Sequence, residues 1–218
     1  IQERIFRKSQ AGRIFIRKLR TKERFTKNMV KIDLITGFLG SGKTTFIKKY
    51  AKHLIDKGDN IGILENDYGA VNVDMMLLKD LEGEKCELEM IAGGCDADCH
   101  RRRFRTKLIA MGMCGYDRVI VEPSGIYDVD EFFDVLRDDP IDRWYEIGNV
   151  ITVVDAKLES DLSDEADYLL ASEAANAGCI VLSRSQEATE EEKQTIISQR
   201  KQDKYDEVIK GWRKKGDI

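Results

Sequence analysis

The order of hydrophobic and polar positions from residue 29 onward alternates between short apolar runs and longer amphipathic stretches. Short runs rich in β-branched residues are typical of strands, and six follow one another: VKIDLIT, IGILEN, CELEMI, RVIVEP, VITVVDA and CIVLS. The amphipathic stretches predict helices at residues 43–58, 99–113, 128–137, 161–176 and 188–214. Gly58 is a normal stop for the first of these helices. The sequence therefore predicts strands and helices in alternation.

Most of these strands are apolar on both faces, which is typical of a parallel sheet covered by helices on each side. The predicted fold is therefore α/β, with a mostly parallel, doubly wound sheet flanked by helices. Ligands bind such sheets at the carboxyl ends of the strands. Proline is too scarce to mark a domain junction, since only Pro123 and Pro140 occur. We predict one domain over residues 29–218.

The first 28 residues differ from the rest in charge. They hold ten Lys/Arg and two Glu, a net charge of +8, and because the whole chain is −4, residues 29–218 carry −12. We interpret residues 1–28 as a basic extension that is non-native or disordered, with a surface-binding arm as the alternative. An acidic body does not favour nucleic-acid binding.

Compartment and membrane association follow from cysteine usage and apolar run length. No run of eighteen apolar residues exists, so we expect no membrane span. Residues 1–28 lack the apolar core of a secretory signal, and the five cysteines are an odd number at irregular spacing. A disulfide framework is therefore not expected, and we predict a cytoplasmic protein.

The segment GFLGSGKT, from Gly37 to Thr44, matches the phosphate-binding pattern G-x-x-x-x-G-K-[ST]. Its glycines let successive backbone N–H groups point at phosphate oxygens, while the lysine reaches the β/γ-phosphates and the threonine hydroxyl ligates Mg²⁺. A strand precedes the motif, and the helix after it directs its positive end at the same anion. This P-loop predicts a nucleotide site whose residues are Gly37, Gly40, Ser41, Gly42, Lys43, Thr44 and Thr45.

Five segments together resemble the CobW-like family of P-loop GTPases. They are ITGFLGSGKTTF, ENDYGAVNVD, IAGGCDADC, VIVEPSG and VITVVDA, and the resemblance covers residues 30–186. The family is of the metallochaperone type and is related to the nickel-insertion GTPases of hydrogenase and urease. The resemblance implies Mg²⁺-dependent hydrolysis of GTP, with ATP left open, coupled to binding zinc, cobalt or nickel and delivering it to a client protein. It leaves a homodimer open, and we expect the family's carboxyl-terminal domain to be absent or cut away.

The same resemblance implies roles for residues outside the P-loop. Asn66, Asp67 and Gly69 correspond to the family's switch-like Asn-Glu-Phe-Gly loop, where the Asp67 carboxylate would hold the Mg²⁺ shell or orient water. A capping acid on a turn is the alternative. Glu122, at the end of the fourth strand, would support Mg²⁺, and Gly125 would offer its N–H to the γ-phosphate. The candidate catalytic residues are Lys43, Asp67 and Glu122.

The base-recognition segment departs from the family pattern. Guanine-specific members end the sixth strand with Asn-Lys-x-Asp, whereas this chain has SRSQ, Ser183 to Gln186. Ser183 is too short to replace Asn fully, but Arg184 can lie over a base. Gln186 can accept a hydrogen bond without the charge that strengthens it. We expect a weaker guanine preference, and a surface loop without nucleotide contact is the alternative. Asp155, at the end of the fifth strand, is either a ligand-edge acid or a helix N-cap.

The cysteine motif departs as well, because the family's Gly-Cys-x-Cys-Cys is here Cys95-Asp-Ala-Asp-Cys99. Four-coordinate Zn²⁺ needs three or four protein ligands, and this pair supplies two. The candidates for further ligands are Asp96, Asp98, His100, Cys86 and a partner subunit. If the helix begins near Asp98, its dipole lowers the thiol pKa of Cys99. The alternative is an acidic loop that leads into a helix.

Two other functions remain open at this point. A small-molecule kinase would use the same P-loop but needs a second substrate pocket and a lid. A nucleotide-gated metal-binding module with little turnover would fit the two departures from the family pattern. Both alternatives keep the P-loop as the nucleotide site.

Overall fold

The computed structural model describes residues 7–8, 14–15, 29–67, 73–92, 97–123, 129–158 and 163–199. Two short strands, Arg7–Lys8 and Ile14–Phe15, pair antiparallel. The main strands are β1 (Val30–Thr36), β2 (Ile61–Asp67), β3 (Cys86–Ala92), β4 (Arg118–Pro123), β5 (Tyr145–Asp155) and β6 (Cys179–Ser183). The helices are α1 (Lys43–Lys57), α2 (Val73–Leu78), α3 (Ala97–Cys114), α4 (Val129–Leu136) and α5 (Asp164–Asn176). Turns of 3₁₀-helix lie at Lys79–Leu81 and Ile141–Arg143, and residues 190–199 are helical.

The six main strands form one sheet in the order β3-β2-β4-β1-β5-β6. Every neighbouring pair is parallel, which confirms the predicted α/β class. β1 lies in the interior of the sheet, between β4 and β5. The chain leaves β1 toward β2 and β3, returns to place β4 beside β1, and then continues on the other side. The loop after β1 therefore lies where the direction of winding changes, which is the usual ligand position in such sheets.

Two of the apolar cores lie on opposite faces of the sheet and hold α1, α3 and α4 in place. One core joins Leu34, Val119 and Val121 of the strands to Phe104 of α3 and Phe132 of α4. The other joins strand residues such as Ile35, Ile63 and Ile120 to the buried positions of α1, Ile47, Ala51 and Leu54. Successive strand residues thus pack on opposite faces, as the doubly apolar runs predict.

The structure adds elements that the apolar pattern does not show. α2 spans only six residues, too few for a helical period to stand out in the sequence. β5 begins five residues before the predicted VITVVDA run. Its first part is largely exposed and contains Gly148 and Asn149, residue types that are rare in strands. Within the described residues, no helix is long and apolar enough to cross a membrane.

A buried carboxylate clamps the amino-terminal end of the sheet. Asp33 of β1 is fully buried and accepts hydrogen bonds from Arg118 Nη1 at 2.6 and 2.8 Å, from Tyr50 Oη at 2.8 Å and from the Asn149 backbone N–H at 2.6 Å. Burial, together with the Asp33 charge, raises the pKa of Tyr50 to about 12. Position 148 must be glycine, because a Cβ there would overlap the Asp33 carboxylate. The clamp joins β1, β4, β5 and α1.

Candidate nucleotide site

The loop between β1 and α1 has the backbone that a phosphate cradle needs. Gly37, Gly40 and Gly42 have φ values of 139°, 77° and 91°, in the region that only glycine adopts readily. A Cβ at Gly37 would also overlap the backbone carbonyl of Val153 on β5. Gly42 precedes α1 and provides no side-chain cap. The amino-terminal end of this 15-residue helix, which carries the positive end of the helix dipole, therefore directs its first N–H groups at the loop.

Lys43 is the first residue of α1, and its side chain folds over the loop. Its Nζ donates to the Gly37 carbonyl at 2.9 Å and to the Phe38 carbonyl at 3.4 Å. The residue is only 9% exposed, so its charge acts in a medium that screens it poorly. Ser41 Oγ is buried as well, and it makes no hydrogen bond to the described residues. The loop thus combines a buried ammonium group with polar groups that suit phosphate oxygens.

The side chains of Thr44, on the first turn of α1, and Glu122, on β4, contact each other. β4 pairs with β1, and at its carboxyl end the Glu122 Oε1 atom accepts a hydrogen bond from Thr44 Oγ1 at 3.4 Å. Glu122 is 5% exposed. A hydroxyl and a carboxylate are hard oxygen donors of the kind that Mg²⁺ prefers. The structure therefore brings together the two side chains predicted to hold Mg²⁺.

Glu65 of β2 is a second acid at this edge, and the sequence reasoning missed it. Sheet register pairs it directly with Glu122 of β4, and it is 3% exposed. Along the chain it ends the apolar run of β2, just before Asn66. An acid in that position within an otherwise apolar strand was the available signal. The pairing places two buried carboxyl groups side by side near the P-loop.

Glu173 of α5 is a third buried acid, and it too was not predicted. It is 6% exposed. Burial raises the pKa of Glu173 to about 7, although Lys43 and the Gly37 N–H both lower it. Its own backbone carbonyl accepts a hydrogen bond from Thr152 Oγ1 at 3.0 Å, and Thr152 Oγ1 lies 2.8 Å from Thr36 Oγ1. α5 is thus anchored beside the start of the P-loop.

Arg184 joins the end of β6 to the P-loop. It adopts a φ of 49°, which is uncommon for a side chain of this size. One nitrogen of the guanidinium group donates to the Gly40 carbonyl at 3.0 Å, and another forms an ion pair with the Asp155 carboxylate. Asp155 also accepts from the Lys157 N–H at 3.0 Å. The N-cap of α5 is Ser163, so of the two interpretations of Asp155 the helix cap is wrong.

The other residues of the SRSQ segment lie on the same side of the loop. Ser183 Oγ donates to the Val154 carbonyl at 3.4 Å, and its Cβ would lie 3.6 Å from a Cβ placed on Gly42. Gln186 is exposed, in the turn formed by residues 184–187. A cavity of about 220 Å³ opens between this turn and the P-loop. Its lining consists of Phe38, Leu39, Gly40, Ser41, Val154, Asp155, Leu158, Leu170 and Arg184.

The predicted transition-metal site is described only in part. Cys99 lies half-buried on the first turn of α3, while Cys95 is outside the described residues. His100 beside it is buried, and burial, with the Arg103 charge, lowers its pKa and favours the neutral, metal-binding form. In the part of the chain that the structure describes, no group of three or more His, Cys, Asp or Glu side chains could hold a metal ion. Cys95 and Cys99 therefore remain a prediction.

The proposal of Cys86 as a further ligand is wrong. Cys86 begins β3, and the other end of that strand, Ala92, is about 20 Å away at 3.3 Å per residue. Cys99 lies beyond that end, on the first turn of α3. Cys86 also packs in the core shared with α1, while α3 covers the other face of the sheet. Burial raises the pKa of Cys86 to about 11, so it is a thiol at neutral pH.

The structure describes three of the predicted site residues, Asp67, Gly69 and Gly125, incompletely or not at all. Asp67 is the last residue of β2, and its backbone pairs with Ala92 of β3. Its side chain, together with Gly69 and Gly125, lies outside the described residues. Thr45 is exposed on the first turn of α1. The proposed roles of these residues therefore remain predictions.

Comparison with known proteins identifies the domain. The family model of the CobW/HypB/UreG nucleotide-binding domain matches residues 31–209. The chain is similar to the zinc chaperone YeiR of Escherichia coli (strain K12), with 30% identity over 169 residues that make up 77% of this chain and 50% of YeiR. It is also similar to the zinc-regulated GTPase metalloprotein activator 1 of Schizosaccharomyces pombe, with 27% identity over 184 residues, covering 79% of this chain and 44% of the relative.

A solved structure supports the same fold. The cell division protein FtsY of Thermotoga maritima superposes with a TM-score of 0.53 at 18% identity, over 81% of this chain and 58% of that one. The chain spans about half the length of the curated relatives that it matches. The family model covers most of the described sheet and the whole phosphate cradle. This chain therefore belongs to the CobW/HypB/UreG family of P-loop GTPases.

Proposed function

We propose that this domain is a Mg²⁺-dependent nucleoside triphosphatase, with GTP preferred over ATP, whose nucleotide state controls the binding and delivery of a transition metal. One observation carries the proposal: the hydroxyl of Thr44, on the first turn of α1, contacts the buried Glu122 carboxylate at the end of β4, while the ammonium of the preceding residue, Lys43, is buried over the P-loop. Phosphoryl transfer depends mainly on positioning and electrostatic stabilisation. The described residues supply both at one edge of the sheet.

Each side chain then has a distinct task. Lys43 and the first N–H groups of α1 bind the β- and γ-phosphate oxygens. Thr44 and Glu122 would hold Mg²⁺, which would supply positive charge against the charge that develops on the phosphoryl group. Asp67, at the end of β2, would orient the attacking water. P-loop GTPases to which no arginine finger is supplied hydrolyse GTP slowly, and we expect slow intrinsic hydrolysis here.

The preference for GTP rests on family membership and on the position of Arg184. Its guanidinium group is fixed between Asp155 and the Gly40 carbonyl, so the stem lies where it can cover a base next to the P-loop. Gln186 accepts a hydrogen bond from a guanine edge less strongly than a carboxylate does. We therefore propose that GTP is favoured over ATP by a smaller factor than in members with Asn-Lys-x-Asp.

Metal handling is supported by the relatives, which are named as zinc chaperones and as a zinc-regulated GTPase. In this chain Cys95 and Cys99 are the proposed thiolate ligands of the cargo metal, zinc being favoured over cobalt or nickel. Cys95 follows β3 in the chain. β3 pairs with β2, and β2 ends at Asp67. Loss of the γ-phosphate would move the switch loop next to it and change the thiolate geometry. Release to a client protein would follow, and a homodimer across the nucleotide remains part of the proposal.

Phosphate release tests the hydrolase part of the proposal. We expect Mg²⁺-dependent release from GTP by the wild type, and loss of release in Glu122→Gln while nucleotide binding persists. Phosphate appearing only as the product of an added small-molecule acceptor would indicate a kinase. Binding without release would indicate a nucleotide-gated module.

Metal analysis tests the cargo part. The wild type and the Cys95→Ser/Cys99→Ser variant are compared with and without a non-hydrolysable GTP analogue. We expect the zinc content to depend on nucleotide in the wild type and to be low in the variant. Equal zinc content in all four samples would contradict metal handling and leave the nucleotide site standing.

A further inference from the structure

We propose that the groove between the edge strand β3 and helix α3 docks an acidic segment of the client protein, beside the proposed metal ligand Cys99. The groove has a volume of about 690 Å³, within the range of roughly 300–1,000 Å³ that is usual for ligand-binding clefts. Its role as a client site rests on the proposed delivery of metal. The lining consists of Met90, Ile91, Cys99, Arg102, Arg103, Thr106, Lys107 and Ala110.

The groove lies at one edge of the sheet. β3 is the outermost strand there, and β2 is the only main strand that pairs with it within the described residues. The lining residues of α3 recur at spacings of three and four positions, so they lie on one side of the helix. The groove is therefore bounded by that side of α3 and by the carboxyl-terminal half of β3.

The charged side chains that line the groove are basic, although the body of the protein is acidic. They are Arg102, Arg103 and Lys107, and no acidic side chain is among the lining residues that the structure describes. Lys107 Nζ forms an ion pair with Glu89 Oε2 at 2.7 Å, so the three cations and this one carboxylate leave a local charge of +2. Residues 29–218 as a whole carry −12. The groove is thus a local region of positive charge on a negatively charged protein.

The arginines of α3 differ in how their charge is compensated. Arg101 and Arg105, on the other side of the helix, lie 3.9 and 3.6 Å from the Asp138 carboxylate. Arg102 is exposed on the groove side, and its Nε donates to the Asp98 carbonyl of the same helix at 3.3 Å. Within the described residues, Arg102 forms no ion pair. Its charge can therefore be compensated by a carboxylate of a partner.

The apolar part of the groove favours a protein segment over a nucleic acid. Ile91 is buried and Met90 is 39% exposed, and together with Ala110 they offer apolar contact to side chains of a partner. The described lining holds no aromatic side chain, whereas sites for single-stranded nucleic acids stack the bases on aromatic rings. The acidic body would also repel a long polyanion, while a short acidic segment interacts mainly with charges within about 10 Å. An acidic segment that carries apolar side chains is therefore the occupant that fits the groove.

The position of the groove connects docking to the proposed metal site. Cys99, on the first turn of α3, belongs to the lining and is also a proposed ligand of the cargo metal. β3 pairs with β2, which ends at Asp67 of the proposed switch loop. A client segment bound in the groove would therefore lie beside Cys99 and next to the strand that leads to the switch loop.

Binding of a synthetic peptide tests the proposal. The probe is a fluorescently labelled peptide of alternating glutamate and leucine, and fluorescence anisotropy measures its dissociation constant. A matched peptide with glutamine in place of glutamate and a single-stranded RNA of similar length are the comparison probes.

Two variants with matched controls locate the peptide. Arg102→Gln removes a cation from the groove, and its control Arg137→Gln removes one from an exposed position just after α4. Ala110→Glu adds a carboxylate to an exposed position of the groove. Its control, Met113→Glu, adds one to the same helix at a residue that is 74% exposed and is not part of the lining. Circular dichroism confirms that each variant is folded.

We expect the glutamate peptide to bind the wild type, and to bind less tightly at higher salt because exposed charges are then screened. Arg102→Gln should weaken binding by about fivefold and Ala110→Glu by about tenfold, whereas both controls should match the wild type. Absence of binding, or equal binding by the wild type and Ala110→Glu, would overturn the proposal. Equal affinity for the glutamine peptide, or tighter binding of the RNA, would overturn it as well. If Ala110→Glu does not fold, Arg102→Gln decides.

Phosphate release and zinc content, measured on the same samples, separate this inference from the proposed function. Ala110→Glu should release phosphate as the wild type does, because the groove lies outside the phosphate site. A wild type that releases phosphate and binds zinc but does not bind the peptide would overturn the docking proposal alone. A wild type that binds the peptide but shows neither phosphate release nor zinc binding would overturn the proposed function, and the groove would remain a docking surface.

Discussion

The two ends of the sheet differ in how their buried charged groups are paired. At the amino-terminal end, the Asp33 carboxylate is surrounded by donors from Tyr50, Arg118 and the Asn149 backbone. At the carboxyl-terminal end, the described residues include three buried carboxyl groups, Glu65, Glu122 and Glu173, and one buried lysine, Lys43. The first end balances its charge internally. The second gathers acid groups around a phosphate loop.

This difference separates the end of the sheet that we expect to stabilise the fold from the end that we propose as the ligand site. A buried ion that is fully hydrogen-bonded costs a great deal when one partner is removed. Several buried carboxylates near a single ammonium group destabilise the ligand-free protein, because they repel one another and are poorly hydrated. Binding of a metal ion or a proton reduces this destabilisation. We therefore expect substitutions at the first end to affect unfolding most, and substitutions at the second end to affect ligand binding and its pH dependence.

The largest effect is expected from breaking the clamp at the amino-terminal end. Asp33→Ala leaves the Arg118 guanidinium, whose side chain is only 14% exposed, without its carboxylate, and should lower the free energy of unfolding by about 3–5 kcal/mol. Urea denaturation measures the loss. The matched control is Asp56→Ala on the exposed face of α1, which should change stability by less than about 0.5 kcal/mol. A loss below about 1 kcal/mol for Asp33→Ala would show that the clamp does not stabilise the sheet.

The next largest effect is expected at the other end, on binding rather than on unfolding. Lys43→Ala removes the buried ammonium from the P-loop and should weaken binding of the Mg²⁺-bound GTP analogue by at least about 100-fold, or about 3 kcal/mol. Calorimetry measures the dissociation constant. Lys48→Ala, on the same helix but half exposed and paired with Asp80, should leave binding unchanged. A weakening of less than about threefold for Lys43→Ala would place the phosphates elsewhere.

An intermediate effect on stability should appear at Glu173, and only at higher pH. Its pKa is about 7 in the folded protein, above the value near 4.5 expected when unfolded, so the folded state binds more protons between these values. The stability of the nucleotide-free wild type should therefore fall as pH rises from about 4.5 to 7, and then level off. Glu173→Gln has no carboxyl to ionise at this position, so its stability should not fall in this pH range. At about pH 8 its free energy of unfolding should exceed that of the wild type by about 2–3 kcal/mol.

Thermal or urea unfolding at several pH values checks this prediction. The two proteins should be equally stable near pH 4, because Glu173 is then protonated in both the folded and the unfolded state. Parallel pH profiles of the wild type and Glu173→Gln would show that the burial of this carboxyl costs nothing. In that case the contrast between the two ends of the sheet would rest on Glu65 and Glu122 alone.

The smallest effect is expected at Arg184, an exposed residue that contacts both the P-loop and Asp155. Arg184→Ala removes the bond to the Gly40 carbonyl and the ion pair with Asp155. Because Arg184 is about half exposed, nucleotide binding should weaken by only about fivefold, or about 1 kcal/mol. Calorimetry with GTP and ATP analogues shows whether the loss is larger for guanine. Arg143→Ala, exposed and distant in the chain, should have no effect.

The sequence by itself determined the fold class, the strands and the phosphate loop. Short apolar runs predicted all six main strands, because burial leaves a local signature that needs no knowledge of neighbours. RVIVEP and CIVLS match β4 and β6 residue for residue. The P-loop was equally visible, since its chemistry requires glycines, a lysine and a hydroxyl at fixed spacing within eight residues. α2 was not visible, because six residues carry too little periodicity.

Only the tertiary structure decided which distant groups share a site. Glu65 lies beside Glu122 because of sheet register, and the Glu173 carbonyl accepts a hydrogen bond from Thr152 because α5 packs against β5, whereas no local pattern encodes either contact. The same holds for Cys86, which looked like a metal ligand until the direction of β3 and the two faces of the sheet separated it from Cys99. Local patterns report burial and backbone conformation. Strand order and helix packing join residues more than a hundred positions apart, and they set the charge environment of the phosphate site.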